Sequence, residues 1–286
     1  MKGFIWILSL FAVCLLAGTR AQTQILVPNG AGVALAQWHT VVRDLDAAKK
    51  FWTLMGGKPI RVDGTDVMKF PGILVFLTPG APSGGSEGNV VNHLGFYVPS
   101  VRALTGKLKA GGVKLDFVEG QNVVTGNDIC WVYSPDDLKI ELHSEKALPD
   151  DLRMALHLGE SLTVPIAGSH VHFGVVESAM REMQSWYVKT FGGVAEKTIT
   201  GLRIGGLSGG MSVGKSANAT TPTKGRTLDY IGFEVVDLEA FCKKLEAQGV
   251  KFEEPYSKSR HKSYASAVFT DPFGVTIELT EGLSRL

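Results

Sequence analysis

Residues 268–279, Val-Phe-Thr-Asp-Pro-Phe-Gly-Val-Thr-Ile-Glu-Leu, decide the fold. A β-like segment comes first, the turn sequence Asp-Pro-Phe-Gly follows, and a second β-like segment ends in Ile-Glu-Leu. The same ending recurs at residues 140–142, again after a turn and at the end of a strand-like segment. This recurrence predicts an internal repeat, which fixes the architecture before any single residue is interpreted.

One pattern occurs four times along the chain. It consists of a strand that opens on a polar residue, a helix that ends at glycine, and then further strands. Its helices have a polar cap at the first end and a glycine after the last turn, as Ser100 with Gly111 and Asp237 with Gly249 illustrate. The opening strands superpose four side chains, and the copies begin at Trp38-His39, Asn92-His93, Val171-His172 and Asp229-Tyr230.

Each repeat therefore reads βαβββ, and the predicted fold class is α+β with curved, half-open mixed β-sheets. One such unit exposes an apolar sheet face, so two units pack into a domain and four give two domains. We expect adjacent repeats to pair, because sequential elements usually lie together. The predicted domains are residues 35–144 and 169–282, with a linker at 145–168.

The first 21 residues resemble a cleaved signal peptide. Lys2 opens a short positive region, an apolar run extends from residue 5 to 16, and Thr19-Arg20-Ala21 has small residues at the −3 and −1 positions of a cleavage site. The apolar run is shorter than the roughly 20 residues of a membrane span. We expect cleavage after Ala21, export to the periplasm or the medium, and no membrane attachment of the mature chain.

The charge balance argues against a nucleic-acid partner. The chain of 286 residues has 29 Lys and Arg against 28 Asp and Glu, and no basic stripe stands out. With 44% hydrophobic and 20% charged residues the composition is that of a globular protein. A small-molecule substrate is the expected partner, and a monomer and a homodimer are both compatible with two fused domains.

Three side chains at equivalent repeat positions predict a metal site. His39 and His93 lie on opening strands, and Glu141 lies on the last strand of the second repeat. In a half-open sheet, inward-facing residues of these strands converge, since alternate residues share one face. Two imidazoles and one carboxylate form a ligand set that leaves positions open for water, substrate or O₂.

The second half carries a weaker set of the same kind. His172, Tyr230 and Glu278 occupy the equivalent positions, but tyrosine is a poor ligand for most divalent ions near neutral pH. We interpret this set as a metal site that has lost a ligand and now shapes a cleft. An alternative pairing of the repeats stays open. If repeats pair crosswise, so that one opening-strand histidine comes from the other pair, His172 rather than His39 completes the site with His93 and Glu141.

On these residues, and above all on the run at 268–279 with the fourfold strand–helix–glycine pattern, the chain resembles a tandem, two-domain member of the vicinal oxygen chelate superfamily. This is the group of glyoxalases, bleomycin resistance proteins and extradiol dioxygenases. The resemblance covers roughly residues 35–282. It implies one divalent metal ion (Fe, Mn or Zn), held here by His39, His93 and Glu141. Some members use a fourth ligand, at a position that aligns with Phe76, so three ligands are expected.

Two functions follow from the resemblance. The first is an exported metal-dependent enzyme, a lyase, isomerase or dioxygenase, whose small substrate chelates the metal through neighbouring oxygens. His143 lies two residues after Glu141 on the same strand face and is the candidate catalytic acid or base. The alternative is a non-catalytic protein of the bleomycin-resistance type that sequesters a small molecule in the same cleft.

Overall fold

The computed structural model describes residues 27–118, 129–144, 166–196, 201–205 and 209–286. The predicted signal peptide, 1–21, and most of the predicted linker, 145–168, lie outside these ranges. Within them, the order strand, helix, three strands occurs four times, as the repeats predicted. No described helix has both the length and the hydropathy that a membrane crossing needs.

Sixteen described strands form two open, mixed, eight-stranded sheets. Sheet A contains, in spatial order, β2 (Lys58–Val62), β3 (Thr65–Phe70), β4 (Ile73–Pro79), β1 (Val33–Val42), β13 (Leu228–Val235), β16 (Thr276–Glu281), β15 (Ala265–Thr270) and β14 (Phe252–Ser257). Sheet B contains β6 (Leu115–Val118), β7 (Ile129–Tyr133), β8 (Lys139–Ser144), β5 (Val91–Val98), β9 (Ala167–Val175), β12 (Gly210–Lys215), β11 (Gly201–Arg203) and β10 (Val194–Ala195).

The repeats pair crosswise, so the predicted pairing of adjacent repeats is wrong. Repeats one and four build sheet A, where β1 and β13 are antiparallel neighbours at the centre. Repeats two and three build sheet B, where β5 and β9 occupy the same place. Each sheet therefore draws strands from both predicted ranges, 35–144 and 169–282. Both pairings place one opening strand beside another and bury the same apolar faces, so the sequence pattern does not distinguish them, and β1 pairs with β13 rather than with β5.

Four α-helices of the described ranges pack between the sheets in one continuous apolar core. They are α1 (Leu45–Leu54), α2 (Val101–Ala110), α3 (Met180–Phe191) and α4 (Leu238–Ala247). The predicted caps hold for Ser100 and Asp237, whose side chains accept from backbone N–H groups of the first helical turn. Before α3, the chain instead forms a 3₁₀ turn, Glu177–Ala179.

The core fixes which side chains face the concave side of each sheet. Trp38 of β1 meets Phe96 of β5 edge-on, with ring centroids 5.3 Å apart, and both rings are fully buried between the sheets. Because side chains alternate along a strand, the neighbours of Trp38, namely Gln37 and His39, lie on the opposite face of sheet A. The polar side chains of each sheet therefore gather on the concave side.

Candidate metal centre

Two of the three predicted ligands lie together on sheet B. His93 is on β5 and Glu141 on the parallel neighbour β8. The Nε2 atom of His93 is 3.2 Å from Oε2 of Glu141, and both side chains are largely buried. Trp131 of β7 packs its ring edge-on against His93 at 4.9 Å and covers one side of the pair.

The third member of this cluster is His170, on β9. Its Nε2 atom lies 3.3 Å from Oε2 of Glu141. One ligand atom from each of His93, Glu141 and His170 lies within 4.8 Å of the others, which makes this a candidate metal site among the described residues. His170 lies opposite Gly95 of β5, and a Cβ atom added there would be 2.1 Å from Nδ1 of His170. Glycine at position 95 thus leaves the space that the imidazole occupies.

His172, the residue of the crosswise alternative, lies beside this cluster. It is directly opposite His93 across the β5–β9 pair, and the two rings stack with centroids 4.4 Å apart. Crosswise pairing therefore brings the third repeat to the site, as that alternative required. His170 was missed, although its sequence signal is simple: His-Val-His at 170–172 places both imidazoles on one face of a strand.

His39 does not belong to this cluster, so its assignment to a site with His93 and Glu141 is wrong. It lies on sheet A, with Nε2 at 3.1 Å from Oε2 of Glu278. Its ring is sandwiched between Tyr230 and Phe76, at centroid distances of 3.8 and 4.4 Å. The reason is the pairing of β1 with β13 and β4, which carries His39 into the other sheet.

The electrostatics of the sheet B cluster suit a cation. Burial lowers the pKa of His93 to about 4 and that of His172 to about 3, so both imidazoles are neutral near pH 7. Burial alone would raise the pKa of Glu141, but hydrogen bonds from His170 and His93 hold it well below its usual range. Metal ligands must be deprotonated, and these groups already are.

The hydrogen bonds of His93 also favour a bound cation. Its Nδ1 is 3.0 Å from the amide oxygen of Asn92, and its Nε2 is 3.2 Å from the Glu141 carboxylate. A neutral imidazole has one N–H, so it satisfies one of these acceptors and turns a lone pair towards the other. With the proton on Nε2, His93 donates to Glu141; with the proton on Nδ1, it donates to Asn92, and Nε2 and the carboxylate present lone pairs to each other. A cation between them resolves that contact, so the residues fit a bound metal ion.

His143, the candidate catalytic residue, lies behind His170. Its Nε2 is 2.6 Å from Oγ of Ser169, and the same oxygen is 2.8 Å from Nδ1 of His170. The hydroxyl donates to one ring and accepts from the other, which links the two imidazoles in a chain. His143 is buried and stacks on Tyr97 at 4.6 Å, and burial lowers its pKa to about 3.

Comparison with known proteins relates the second half of the chain to a family. Residues 169–279 match the model of the Glyoxalase/Bleomycin resistance protein/Dioxygenase superfamily. That range contains β9 with His170 and the run at 268–279 from which the repeats were recognised. No curated protein sequence matches the chain.

Solved structures similar to this chain span both sheets. A glyoxalase I mutant from Zea mays superposes with a TM-score of 0.63 at 16% identity, over 89% of this chain and 95% of that one. A putative dioxygenase from Bacillus subtilis gives 0.62 at 13% identity, over 87% and 85%. The cppA protein from Streptococcus pneumoniae gives 0.51 at 13% identity, over 90% and 98%.

At these identities the similarity concerns the fold alone. The fold, the family model and the repeats agree with one another, and the described cluster has residues capable of binding a metal. The chain has the two-sheet fold of glyoxalase I-like vicinal oxygen chelate domains, and its residues 169–279 match the glyoxalase, bleomycin resistance protein and dioxygenase superfamily.

Proposed function

We propose that this protein is a metal-dependent enzyme of the glyoxalase/dioxygenase type, with its active site in the concave face of sheet B. His93, Glu141 and His170 would hold one divalent ion. The observation that carries the proposal is the convergence of two imidazoles and one carboxylate within 4.8 Å of one another. Imidazole and carboxylate ligands of this kind suit iron, manganese and zinc.

A bound divalent ion supplies Lewis-acid chemistry at an oxygen of the substrate. Two neutral imidazoles and one carboxylate leave a net charge of about +1 on a divalent site, which favours an anionic or enolate form of the substrate. We therefore expect a small substrate that offers two neighbouring oxygens. His172 lies against His93 and is placed to contact such a substrate or to serve as a further ligand.

The hydrogen bonds that link His143, Ser169 and His170 fix the orientation of the His170 ring. Ser169 fixes the ring of His170 by its hydrogen bond to Nδ1, which leaves Nε2 turned towards Glu141. This is the role that partners behind a metal ligand usually have. His143 is the proposed acid or base, because it is the next titratable group along the strand from Glu141 and holds or accepts a proton at Nε2.

The proposed setting is outside the cytoplasm, on the strength of the leader-like segment at residues 1–21. A chain exported unfolded would acquire its metal there. The signal-peptide proposal is tested by sequencing the amino terminus of the mature protein, which is expected to begin after Ala21. A mature protein that begins at Met1 would contradict it.

The enzyme proposal is tested on the full mature chain, purified without added metal. Elemental analysis should find one equivalent of a divalent metal, and a chelator should remove it. Reconstitution with Fe²⁺, Mn²⁺ or Zn²⁺ should restore activity in a screen of catechols, hemithioacetals and epoxides. Less than about a tenth of an equivalent, with no activity gained on reconstitution, would favour the sequestering protein instead.

A further inference from the structure

Sheet A has a cleft of its own, at the position that the metal cluster occupies in sheet B. It is a cavity of about 580 Å³, within the ordinary size range of small-molecule sites. Glu278 lies in its wall, is 3% exposed, and occupies on β16 the place that Glu141 has on β8. The cavity is thus built around a buried carboxylate.

The groups around Glu278 differ from those around Glu141. Gln37 stands where sheet B has His170, and Tyr230 stands where sheet B has His93. The amide Nε2 of Gln37 donates to Oε2 of Glu278 at 2.7 Å. Burial raises the pKa of the Tyr230 phenol, so this ring stays protonated and does not offer a phenolate. His39 and His261 lie 3.1 and 4.0 Å from Glu278, but among the described residues these three do not converge within 4.8 Å as the sheet B cluster does, which makes them a poor set for tight metal binding.

Aromatic rings form much of the wall. Phe76 and Tyr230 flank His39, and the ring of Tyr264 stacks with that of His261 at 4.1 Å. The second carboxylate oxygen of Glu278, Oε1, lies 4.0 Å from Nε2 of His261. Burial lowers the pKa of His261, so its imidazole is neutral near pH 7 and does not compensate the carboxylate. Aromatic faces beside a carboxylate attract cations.

The charged residues that line the cavity also favour a cationic ligand. Lys224 and Arg260 are paired with Glu253 and Glu254 respectively, so the two cationic groups at the cavity are already neutralised. The remaining lining carboxylates are Asp229 and Glu278. Thr276 also lines the cavity, and its buried hydroxyl oxygen has no hydrogen-bond partner within the described residues. The cavity thus combines negative charge with a spare polar group.

We propose that the sheet A cleft is a second, metal-independent ligand site for a small organic cation, with the ammonium group at Glu278 and the apolar part of the ligand against Phe76, Tyr230 and Tyr264. Gln37 and His39 already contact Oε2 of Glu278, so the ammonium would take the other carboxylate oxygen, Oε1. The apolar part of the ligand would gain most of its contact with the half-buried Tyr230, because Phe76 and Tyr264 are already 2% and 6% exposed. This site lies in a different sheet from the proposed metal centre and does not depend on it.

The test is a calorimetric titration of the full mature chain with three probes of one skeleton: phenethylammonium, 2-phenylethanol and phenylacetate. Phenethylammonium should bind once per chain and at least about ten-fold more tightly than the neutral alcohol, and phenylacetate should bind more weakly than either. The result should be the same before and after chelator treatment. Equal binding of the alcohol, or preferred binding of phenylacetate, would overturn the proposal.

The matched variants are Glu278→Gln and Glu141→Gln, which remove equivalent carboxylates from the two sheets. Glu278→Gln should weaken phenethylammonium about 30-fold or more, since a buried charge pair is lost, and Glu141→Gln should leave it within about two-fold. The exposed Glu254→Gln carries no risk to folding and should weaken binding about three-fold at low salt. Weakening by Glu141→Gln but not by Glu278→Gln would overturn the proposal. A second equivalent of Zn²⁺ that Glu278→Gln abolishes would also overturn it.

Discussion

Gln37 and His170 occupy equivalent positions in the two sheets. Each lies opposite a glycine of the neighbouring opening strand, Gly232 for Gln37 and Gly95 for His170. Each also contacts the glutamate of the last strand through a side-chain nitrogen, at 2.7 and 3.3 Å. The same backbone therefore presents a neutral amide in one sheet and an imidazole in the other, and this difference, together with Tyr230 in the place of His93, separates the chemistry of the two clefts.

Replacement of His170 by alanine should abolish metal binding, whereas replacement of His39 should not. His170→Ala removes one of three converging ligand atoms, and we expect an affinity at least about 100-fold weaker. His39→Ala lies in the other sheet and should leave the affinity within about three-fold. Isothermal titration with Zn²⁺ or Mn²⁺ measures both. Loss of metal in His39→Ala with retention in His170→Ala would contradict the site.

Gly95→Ala should weaken metal binding without unfolding the sheet. The added Cβ would meet His170 at 2.1 Å, so the imidazole must move away from Glu141. We expect an affinity about ten-fold weaker or more. Gly232→Ala is the matched control, because its Cβ would meet Gln37 at 2.3 Å in the sheet that lacks the metal cluster. Equal effects of the two variants on metal affinity would argue against a special role of position 95.

Ser169→Ala should weaken metal binding by about 10- to 100-fold, because Ser169 holds the ring of His170 in place. Titration with Mn²⁺ measures this, and circular dichroism checks the fold. The control is Ser266→Ala, which removes a fully buried serine hydroxyl from sheet A instead of sheet B. It should leave the metal affinity unchanged. An unaltered affinity in Ser169→Ala would show that His170 needs no such support.

The metal-free protein should lose stability as the pH falls from about 6.5 towards 4. The folded pKa values of His93, His143 and His172 are lowered to about 4, 3 and 3 by burial, so the unfolded state binds more protons in this window. Burial raises the pKa of Asp271 to about 6, which acts in the opposite direction by one proton. Three groups against one leave about two protons, or roughly 3 kcal/mol per pH unit.

Urea denaturation of the metal-free protein at pH 7, 6 and 5 measures this slope, with His143→Gln as the comparison. That variant removes one of the three groups and should reduce the slope by about one proton. A free energy of unfolding that is constant between pH 7 and 5 would contradict the assignment of neutral, buried imidazoles.

Gln37→His combined with Tyr230→His should create a second metal site in sheet A. The two changes reproduce the residue types of the sheet B cluster around Glu278. Elemental analysis should rise from one to two metal equivalents per chain, and each single variant should bind the second ion more weakly than the double variant. No second equivalent in a folded double variant would mean that the two sheets are not equivalent in backbone geometry.

The sequence predicted the fold well because its signals are local. Ser100 and Asp237 cap helices where the capping pattern placed them, and the four opening strands begin the repeats as expected. Repeats also aligned Glu141 with Glu278, and both glutamates lie on the last strand of their repeats in equivalent clefts. Periodicity and turn chemistry are sufficient for such features.

Strand pairing between repeats was not predictable by the same means. Adjacent and crosswise pairing bury the same apolar faces, so neither hydrophobic pattern nor helix capping distinguishes them. His39 was assigned wrongly for this reason alone, since its repeat position matches a ligand position but its strand joins the other sheet. His170 was missed because only its equivalent neighbour, His172, was aligned with the other opening-strand histidines.

Crosswise pairing has a consequence for the order in which this chain folds. β1 cannot pair with β13 until nearly two hundred further residues have emerged. β5 and β9, which lie between them in the sequence, can pair and complete sheet B before the last repeat emerges. Closure of so long a loop is slow and exposes the unpaired strand meanwhile. Cleavage between the second and third repeats would accordingly give two fragments that each hold half of sheet A and half of sheet B, and that regain structure only by reassociation.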